Sequence, residues 1–404
     1  MTDNRQLHFE MQERRTPDSV CRELTLTADG ESERIVVEHE IFDTAVGPLT
    51  VMDGPVQSVL MHCMTRGRPL RIHGNLSASS FYNLNEFQRA WSVWRPNVYR
   101  RIDLIPDAVV DERPRSTRTI QAFSGGLDAS FTLVSNKYLN KDQGGFDVSA
   151  GLLVNGFDVP YEDTSGFARL AERVKRTLDR AGVELKLMRT NSKALALQGW
   201  MDSSALQLSA CVHQFANHYG RTLIGSSEPY EALIIPWGSS PITDHLLSGD
   251  MMTIVHDGAA YSRTEKAEVL LGFPFMVEGL KVCWEGHDPE KNCGLCEKCL
   301  RTRLNFAASG CNDPPCFSDA FDKRMLSGLV AQSALQVSEL EGVVRFVRRK
   351  RWSYPWLNAL RRRIWLSRLA IPIKRATRWN EIRGWLRAKR SGLRPTMASA
   401  SVDS

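Results

Sequence analysis

The segment Thr119-Ile120-Gln121-Ala122-Phe123-Ser124-Gly125-Gly126-Leu127-Asp128-Ala129-Ser130 sets the architecture of this chain of 404 residues. Its first five residues read as a buried strand, and Phe131, Leu133 and Val134 open a helical pattern behind it. A strand that breaks into serine and glycine and then a helix is a place to hold phosphate. The first helical amides lack intrahelical partners, and the helix dipole is positive there. Gly125 and Gly126 let the backbone approach an anion without a Cβ in the way. Ser124 and Ser130 add hydroxyl donors, and Asp128 is placed to orient the loop or a magnesium ion.

Outward from this loop the pattern alternates between strand and helix. Residues 148–154 form an apolar run the length of a central strand, and residues 165–181 are amphipathic, with Phe167, Leu170, Val174 and Leu178 on one face. Residues 183–188 follow as a strand, 206–219 as a helix, and 222–225 and 252–256 as strands. This alternation predicts a doubly wound, mainly parallel sheet with ligands at the carboxyl ends of its strands. Asn155-Gly156-Phe157-Asp158 and Ser226-Ser227-Glu228 end their strands on the same edge as the glycine loop. Ser262 with Glu265 is a capping signal for a short helix, and Arg263 and Lys266 near its start are placed to reach a phosphate.

Ahead of the loop, residues 24–27 and 35–40 alternate like half-buried strands joined by a hairpin-type turn over 28–32. Residues 48–52 and 69–73 read as further short strands, and Leu84, Phe87, Ala90, Trp91 and Trp94 have helical spacing. Residues 1–115 are thus expected to form a β or α+β accessory domain, with the charged, proline-bearing stretch 107–117 as a linker. His39, His62 and His73 are scattered and read as structural.

The overall charge of +6 is unevenly placed: residues 345–404 hold 17 Lys/Arg against two acids, so the preceding residues sum to −9. Half of the ten tryptophans (Trp352, Trp356, Trp365, Trp379 and Trp385) lie in the same basic region. Three destinations fit it: nucleic acid, an anionic membrane surface, or the acidic body of the protein itself. Pro355, Pro372 and Gly384 argue against one continuous helix there, and the small polar residues from Ser391 onward read as disordered. No apolar run approaches the 18 or so residues of a spanning helix. No apolar stretch follows the polar start Met1 to Gln6, so a cytoplasmic protein is expected.

Nine cysteines include four within seventeen residues, Cys283, Cys293, Cys296 and Cys299, spaced Cys-x9-Cys-x2-Cys-x2-Cys. Cys-Gly-x-Cys makes a tight knuckle that aims two thiolates at one metal. A third cysteine one helical turn on and a fourth across a loop complete a tetrahedral set suited to Zn2+. Iron–sulfur ligation is chemically open to the same set. Such a closed site is structural rather than catalytic; His287 lies in its loop, and the other five cysteines read as ordinary thiols.

Ser124-Gly125-Gly126-Leu127-Asp128 resembles the signature of the PP-loop ATP pyrophosphatases, which cleave ATP between the α- and β-phosphates. Together with the knuckle ending Cys299-Leu300-Arg301, the chain over roughly 118–310 is similar to the 7-cyano-7-deazaguanine synthase (QueC) family. The resemblance implies an adenine nucleotide alpha-hydrolase-like fold, ATP and Mg2+ as cofactors, and a zinc-bearing Cys283, Cys293, Cys296 and Cys299 set. It places ATP phosphates on Ser124, Gly125, Gly126, Leu127, Asp128 and Ser130, and gives Asp128 and Lys266 catalytic roles. The activity implied is an ATP-dependent ligase that adenylates a carboxylate, on 7-carboxy-7-deazaguanine or a macromolecular acceptor, for amide or nitrile formation. Alternatives are a tRNA-thiolating PP-loop enzyme and a non-catalytic ATP-binding component. Ala129 stands where the motif usually has Ser or Thr, and the segment 155–160 does not match the family. Residues 1–115 and the last 60 have no counterpart in the housekeeping enzyme. They make the chain look like the extended, defence-associated (Qat-type) branch, which implies a homo-oligomer or a complex with other defence proteins. The expected division is an accessory domain over 1–115, a PP-loop domain over 118–325, a basic Trp-rich helical region over 326–390 and a disordered tail over 391–404.

Overall fold

Three antiparallel strands open the molecule: β1 (Leu7–Arg15), β2 (Val20–Ala28) and β3 (Arg34–Ile41). Their period-two pattern buries Leu7, Phe9, Leu24, Leu26, Val37 and Ile41 in one core. The computed structural model describes residues 6–29, 34–196, 199–283, 285–286, 288 and 290–376. The expected turn at 28–32, His287, Trp379, Trp385 and the tail from 391 fall wholly or partly outside them. The next elements are α1 (Asp53–Arg66), β4 (Leu70–Ile72), β5 (Leu76–Ser77), α2 (Ala78–Trp94), β6 (Leu104–Ile105) and β7 (Val109–Val110). Residues 48–52, expected as a strand, instead lead into α1. Twelve of the fourteen α1 residues are buried, so the helix lacks the one-sided apolar stripe by which sequence reveals a surface helix.

From residue 119 strand and helix alternate: β8 (Thr119–Ala122), α3 (Leu127–Val134), β9 (Val148–Asn155), α4 (Thr164–Arg180), β10 (Glu184–Thr190), α5 (Trp200–Val212), β11 (Arg221–Gly225) and β12 (Thr253–Asp257). Then α6 (Arg263–Leu270), α7 (Pro274–Gly279) and α8 (Glu297–Ala308) follow. Among the described residues ten strands make one sheet in the order β12-β11-β8-β9-β10-β3-β2-β1-β4-β6, while β5 and β7 pair separately. The pairs from β12 to β10 are all parallel, as expected for this region. Counted from β8, the parallel strands run 3-2-1-4-5, and the order reverses between β8 and β11. That reversal opens a crevice at the carboxyl ends of those two strands. The helix expected from residue 206 begins six residues earlier, at Trp200.

The sheet carries a core on each face, because successive residues of a strand point to opposite sides. Ile120, Leu152 and Ile224 join the core that also takes in β1–β3, α1, α2 and α5. Phe123, Leu153 and Leu223 join the other, under α3, α4, α6, α7 and α8. Residues on both sides of position 115 thus share one core and, through the antiparallel β10–β3 pair, one sheet. Buried Arg22 of β2 ties the two parts further. It donates through Nη1 to the Gln214 carbonyl (3.1 Å) and Oε1 (3.0 Å), through Nη2 to the Gly47 carbonyl (2.6 Å), and through Nε to Glu13 (2.9 Å).

The chain forms two compact units, Met1–Phe321 and Asp322–Ser404. In the second, α9 (Ala334–Arg349) is capped by Ser333, whose hydroxyl accepts from the Gln336 amide, and packs with α10 (Leu357–Ala376). Pro355 lies in the break between them, whereas α10 runs through Pro372. No helix among the described residues is long and apolar enough to cross a membrane.

Candidate functional site

Phe123 and Ser124 carry the chain out of β8, Gly125 turns it at φ +76°, and Gly126 in extended conformation caps α3. Gly125 occupies the left-handed region that glycine adopts without strain. The turn is fixed from below: the Lys281 amide donates to the Gly125 carbonyl (2.8 Å), and the buried Gln121 Nε2 donates to the Ala129 carbonyl (2.6 Å). At the end of β11 a Cβ on Gly225 would come 2.9 Å from the Asp128 carbonyl oxygen, so glycine there lets the strand approach the loop.

The loop faces a cavity of about 250 Å³ at the reversal of strand order. Ser124, Gly126, Leu127, Asp128 and Ala129 line one side, with Ser124 exposed. Leu152, Val154, Phe157, Trp200, Leu208 and Ile224 give a largely apolar flank. Arg263 of α6 and Lys298, Arg301, Thr302 and Asn305 of α8 supply a polar, cationic wall. Such a space has one end for an apolar planar group and another for anionic oxygens.

Asp128 is committed inside this wall. Its Oδ2 takes the Arg263 guanidinium at 2.7 Å, and its Oδ1 takes Lys266 Nζ at 3.1 Å. Burial alone would raise the Asp128 carboxyl; Arg263 and then Lys266 outweigh it and hold the group well below the usual carboxylate range. A carboxylate braced by two cations is poorly disposed to a magnesium ion. The two ion pairs tie the loop to α6. Lys266 is fully buried, donates also to the Ser226 carbonyl, and lies 5.6 Å from the centre of the Phe131 ring. Burial pushes its pKa down, opposed by Asp128. Lys266 and Ser130 do not line the cavity; Ser130 is buried in α3. The capping box at Ser262 and Glu265 is formed and presents Arg263 in the first turn of α6.

Cys283, Cys293, Cys296 and Cys299 converge, with all four Sγ atoms within 4.8 Å of one another. Cys283–Cys296 and Cys293–Cys299 are 3.8 and 3.9 Å apart. Four sulfurs about 2.3 Å from a tetrahedral Zn2+ lie about 3.8 Å apart, so the set fits that ion. The amides of Gly286 (3.2 Å), Cys296 (3.3 Å) and Cys299 (3.5 Å) donate to Cys283, Cys293 and Cys296 sulfur, the pattern that stabilises thiolates. Gly294, at φ +73°, makes the knuckle turn. Cys296 is the N-cap of α8, so the cluster fixes the start of the helix that brings Lys298 and Arg301 to the cavity. Arg301 pairs with Glu297 (2.8 Å); burial, then neighbouring Arg263, pushes its pKa down to about 10.

Several supporting residues carry little sequence signal. Asn292 Oδ1 accepts from the amides of Val282 (2.8 Å) and Cys283 (3.1 Å), while its Nδ2 donates to the carbonyls of Leu280 (2.9 Å) and Cys316 (3.0 Å). Arg173 of α4 donates to the carbonyls of Glu278, Gly279, Leu280 and Glu290, tying α4 to the approach of the knuckle. As cavity residues, Lys298, Arg301, Thr302 and Asn305 went unread in the sequence, although their i, i+3, i+4 and i+7 spacing is a signal that could have found them.

No protein-family model matches this chain, and neither a curated protein nor a solved structure does.

Proposed function

We propose that the protein is an ATP-dependent ligase of the 7-cyano-7-deazaguanine synthase type, belonging to the extended, defence-associated branch of those enzymes. The observation that carries this reading is a glycine loop at a strand-order reversal, facing three cations, two of them on a helix started by a four-cysteine cluster. The triphosphate would lie along Ser124–Asp128 and the α3 amides, with the adenine on the flank of Phe157, Trp200 and Leu208. Magnesium, arriving with the triphosphate, would neutralise phosphate charge.

An oxygen of the acceptor carboxylate then attacks the α-phosphorus and pyrophosphate leaves. Ammonia attacks the acyl carbon, AMP leaves, and an amide remains; activation of that amide oxygen in a second round leads to the nitrile. Arg263, Lys298 and Arg301 would stabilise the charge on the departing phosphates, and Asp128 with Lys266 would hold the loop and Arg263 in place. The four cysteines would remain on the zinc.

The test is pyrophosphate release and product mass after incubation with ATP, magnesium, ammonia and 7-carboxy-7-deazaguanine. Release that Gly125→Val abolishes supports the reading, as does Ala129→Ser, a hydroxyl restored to the cavity wall, tightening ATP about tenfold. Metal analysis finding iron and labile sulfide would instead favour the thiolating alternative. A second reading, a nucleotide binder without turnover, is favoured by two observations: Ala129 lines the cavity and Asp128 is braced by cations. ATP binding with no pyrophosphate from any deazapurine or peptide carboxylate would establish that reading and sink the first.

A further inference from the structure

The helical pair α9–α10 is used by nothing in the nucleotide site, yet it concentrates positive charge. Residues 322–376 hold thirteen Lys/Arg against three acids. Among the described side chains nine of these cations are exposed: Lys323 and Arg324 ahead of α9, Arg348, Arg349, Lys350 and Arg351 at its end and in the turn after it, and Arg361, Arg362 and Arg368 on α10. The helices bury part of their apolar surface, while Leu366 and Leu369 of α10 stay exposed. Leu340, Val343, Phe346 and Val347 of α9, and Leu360 and Ile364 of α10, are buried.

Two indoles keep an exposed face, Trp365 at 60% exposure and Trp352 at 42%, the latter packed edge-on against Phe346 (6.0 Å). Arg361, Trp365 and Arg368 are spaced i, i+4 and i+7, so the indole lies on one helix face between two guanidiniums. Trp365 is also a wall of a cleft of about 330 Å³ between α9 and α10, shared with Val344, Ile364, Arg345, Arg361, Arg368 and one carboxylate, Glu341. Arg368 is oriented there by an ion pair with Glu341 (2.6 Å).

We infer that α9 and α10 form a binding surface for single-stranded nucleic acid, with an unpaired base stacked on Trp365 in this cleft and the flanking phosphates on Arg361, Arg362, Arg368 and the 348–351 turn. An exposed planar ring beside cations spaced along a backbone is what a single strand recognises, and duplex bases cannot present a free face to it. A bilayer is the poorer fit. A helix lying in the interface needs a continuous apolar face, and here the buried stripe of α10 is taken up by α9, while exposed Trp365, Leu366 and Leu369 make only a short patch set among Arg361, Arg362 and Arg368.

The experiment is fluorescence anisotropy of a labelled twelve-nucleotide oligoadenylate with the full chain, without ATP, between 50 and 200 mM salt. Binding is expected to weaken with salt at a slope of about −0.7 per phosphate engaged, and R361E/R362E to flatten that slope by about 1.4. Trp365→Ala is expected to weaken binding about tenfold and Trp365→Phe to restore much of it, with the salt slope unchanged. Three results would overturn the assignment: no oligonucleotide binding at low salt; inorganic polyphosphate of equal charge competing as well as the oligonucleotide, with no effect of Trp365→Ala; or recruitment to phosphatidylserine vesicles with the oligonucleotide left unbound. Because ATP is absent, failure here leaves the ligase reading untouched.

Discussion

Asp128 shows how a residue can be prominent in a motif for two reasons at once. Its carboxylate faces Arg263 and buried Lys266 (3.1 Å), so removing the charge strands an ammonium beside Phe131. Asp128→Asn is therefore expected to cost about 3 kcal/mol in chemical denaturation, the low end for breaking a buried pair. Adding Lys266→Met should recover part of that stability. If the double variant regains stability and still releases no pyrophosphate, the pair positions the loop beyond merely folding it; an additive double variant would show that the two do not interact. A second carboxylate makes a pH signature. Asp53, buried at the start of α1, accepts from the Ser77 amide (2.9 Å) and hydroxyl (2.6 Å), and burial raises its pKa from 3.8 to about 6. The folded state thus holds this proton more tightly than the unfolded chain. The stability so gained is complete below pH 3.8 and is lost as pH rises through about 6. At 1.36 kcal/mol per pKa unit the loss is about 3 kcal/mol. Asp53→Asn, which can keep one acceptor for the amide and offer an N–H to the hydroxyl, should flatten that part of a stability-versus-pH curve measured by urea unfolding.

At the scale of elements the cysteine cluster and α8 act as one device, since Cys296 both joins the cluster and caps the helix. Chelation is expected to release one zinc per chain and to weaken ATP binding along with it, because Lys298 and Arg301 lose their fixed start. A colorimetric zinc assay run beside ATP titration checks both halves; zinc release with unchanged ATP affinity would separate cluster from cavity. This device was half legible. The Cys-x2-Cys-x2-Cys spacing announces a metal whatever surrounds it, because ligand geometry is local. The glycine loop is legible for the same reason, as are the capping box at Ser262 and the amphipathic α4. Asn292 and Arg173 were not, because their partners are backbone carbonyls and amides that could belong to any residue type. The α1 helix was hidden by the opposite effect: buried on nearly every side, it has no polar face to give the 3.6-residue period. Ser130 looked like a donor near Asp128, but two steps along a helix turn a side chain by about 200°, and that carries Ser130 into the core.

Over the whole molecule, residues 1–115 and the parallel sheet are one physical object. The sequence changes character near residue 115, from short alternating strands to strand–helix repeats, and that change marks an architectural seam without marking a gap in packing. β3 supplies the antiparallel partner of β10, pairing Ile41, Glu40 and His39 with Met188, Arg189 and Thr190. Arg22 of β2 finds two of its hydrogen bonds on Gln214, nearly two hundred residues away. His39 is buried against Ser58 (3.1 Å) with its pKa driven down to about 3 by burial, so the closed N-terminal strands keep it neutral at acidic pH where a solvated imidazole would charge. A chain beginning at residue 116 would expose the β10 edge and the apolar face that Phe9, Leu24, Val37 and Leu60 now cover. Such a fragment is expected to aggregate or to show no cooperative transition, and residues 1–115 alone to behave likewise. Residues 1–321, which keep both cores, should give a single calorimetric transition. Cooperative unfolding of the 116–321 fragment by itself would show that the parallel sheet needs no cover. The N-terminal strands would then be a module added to a complete domain, in place of part of the fold that holds the glycine loop.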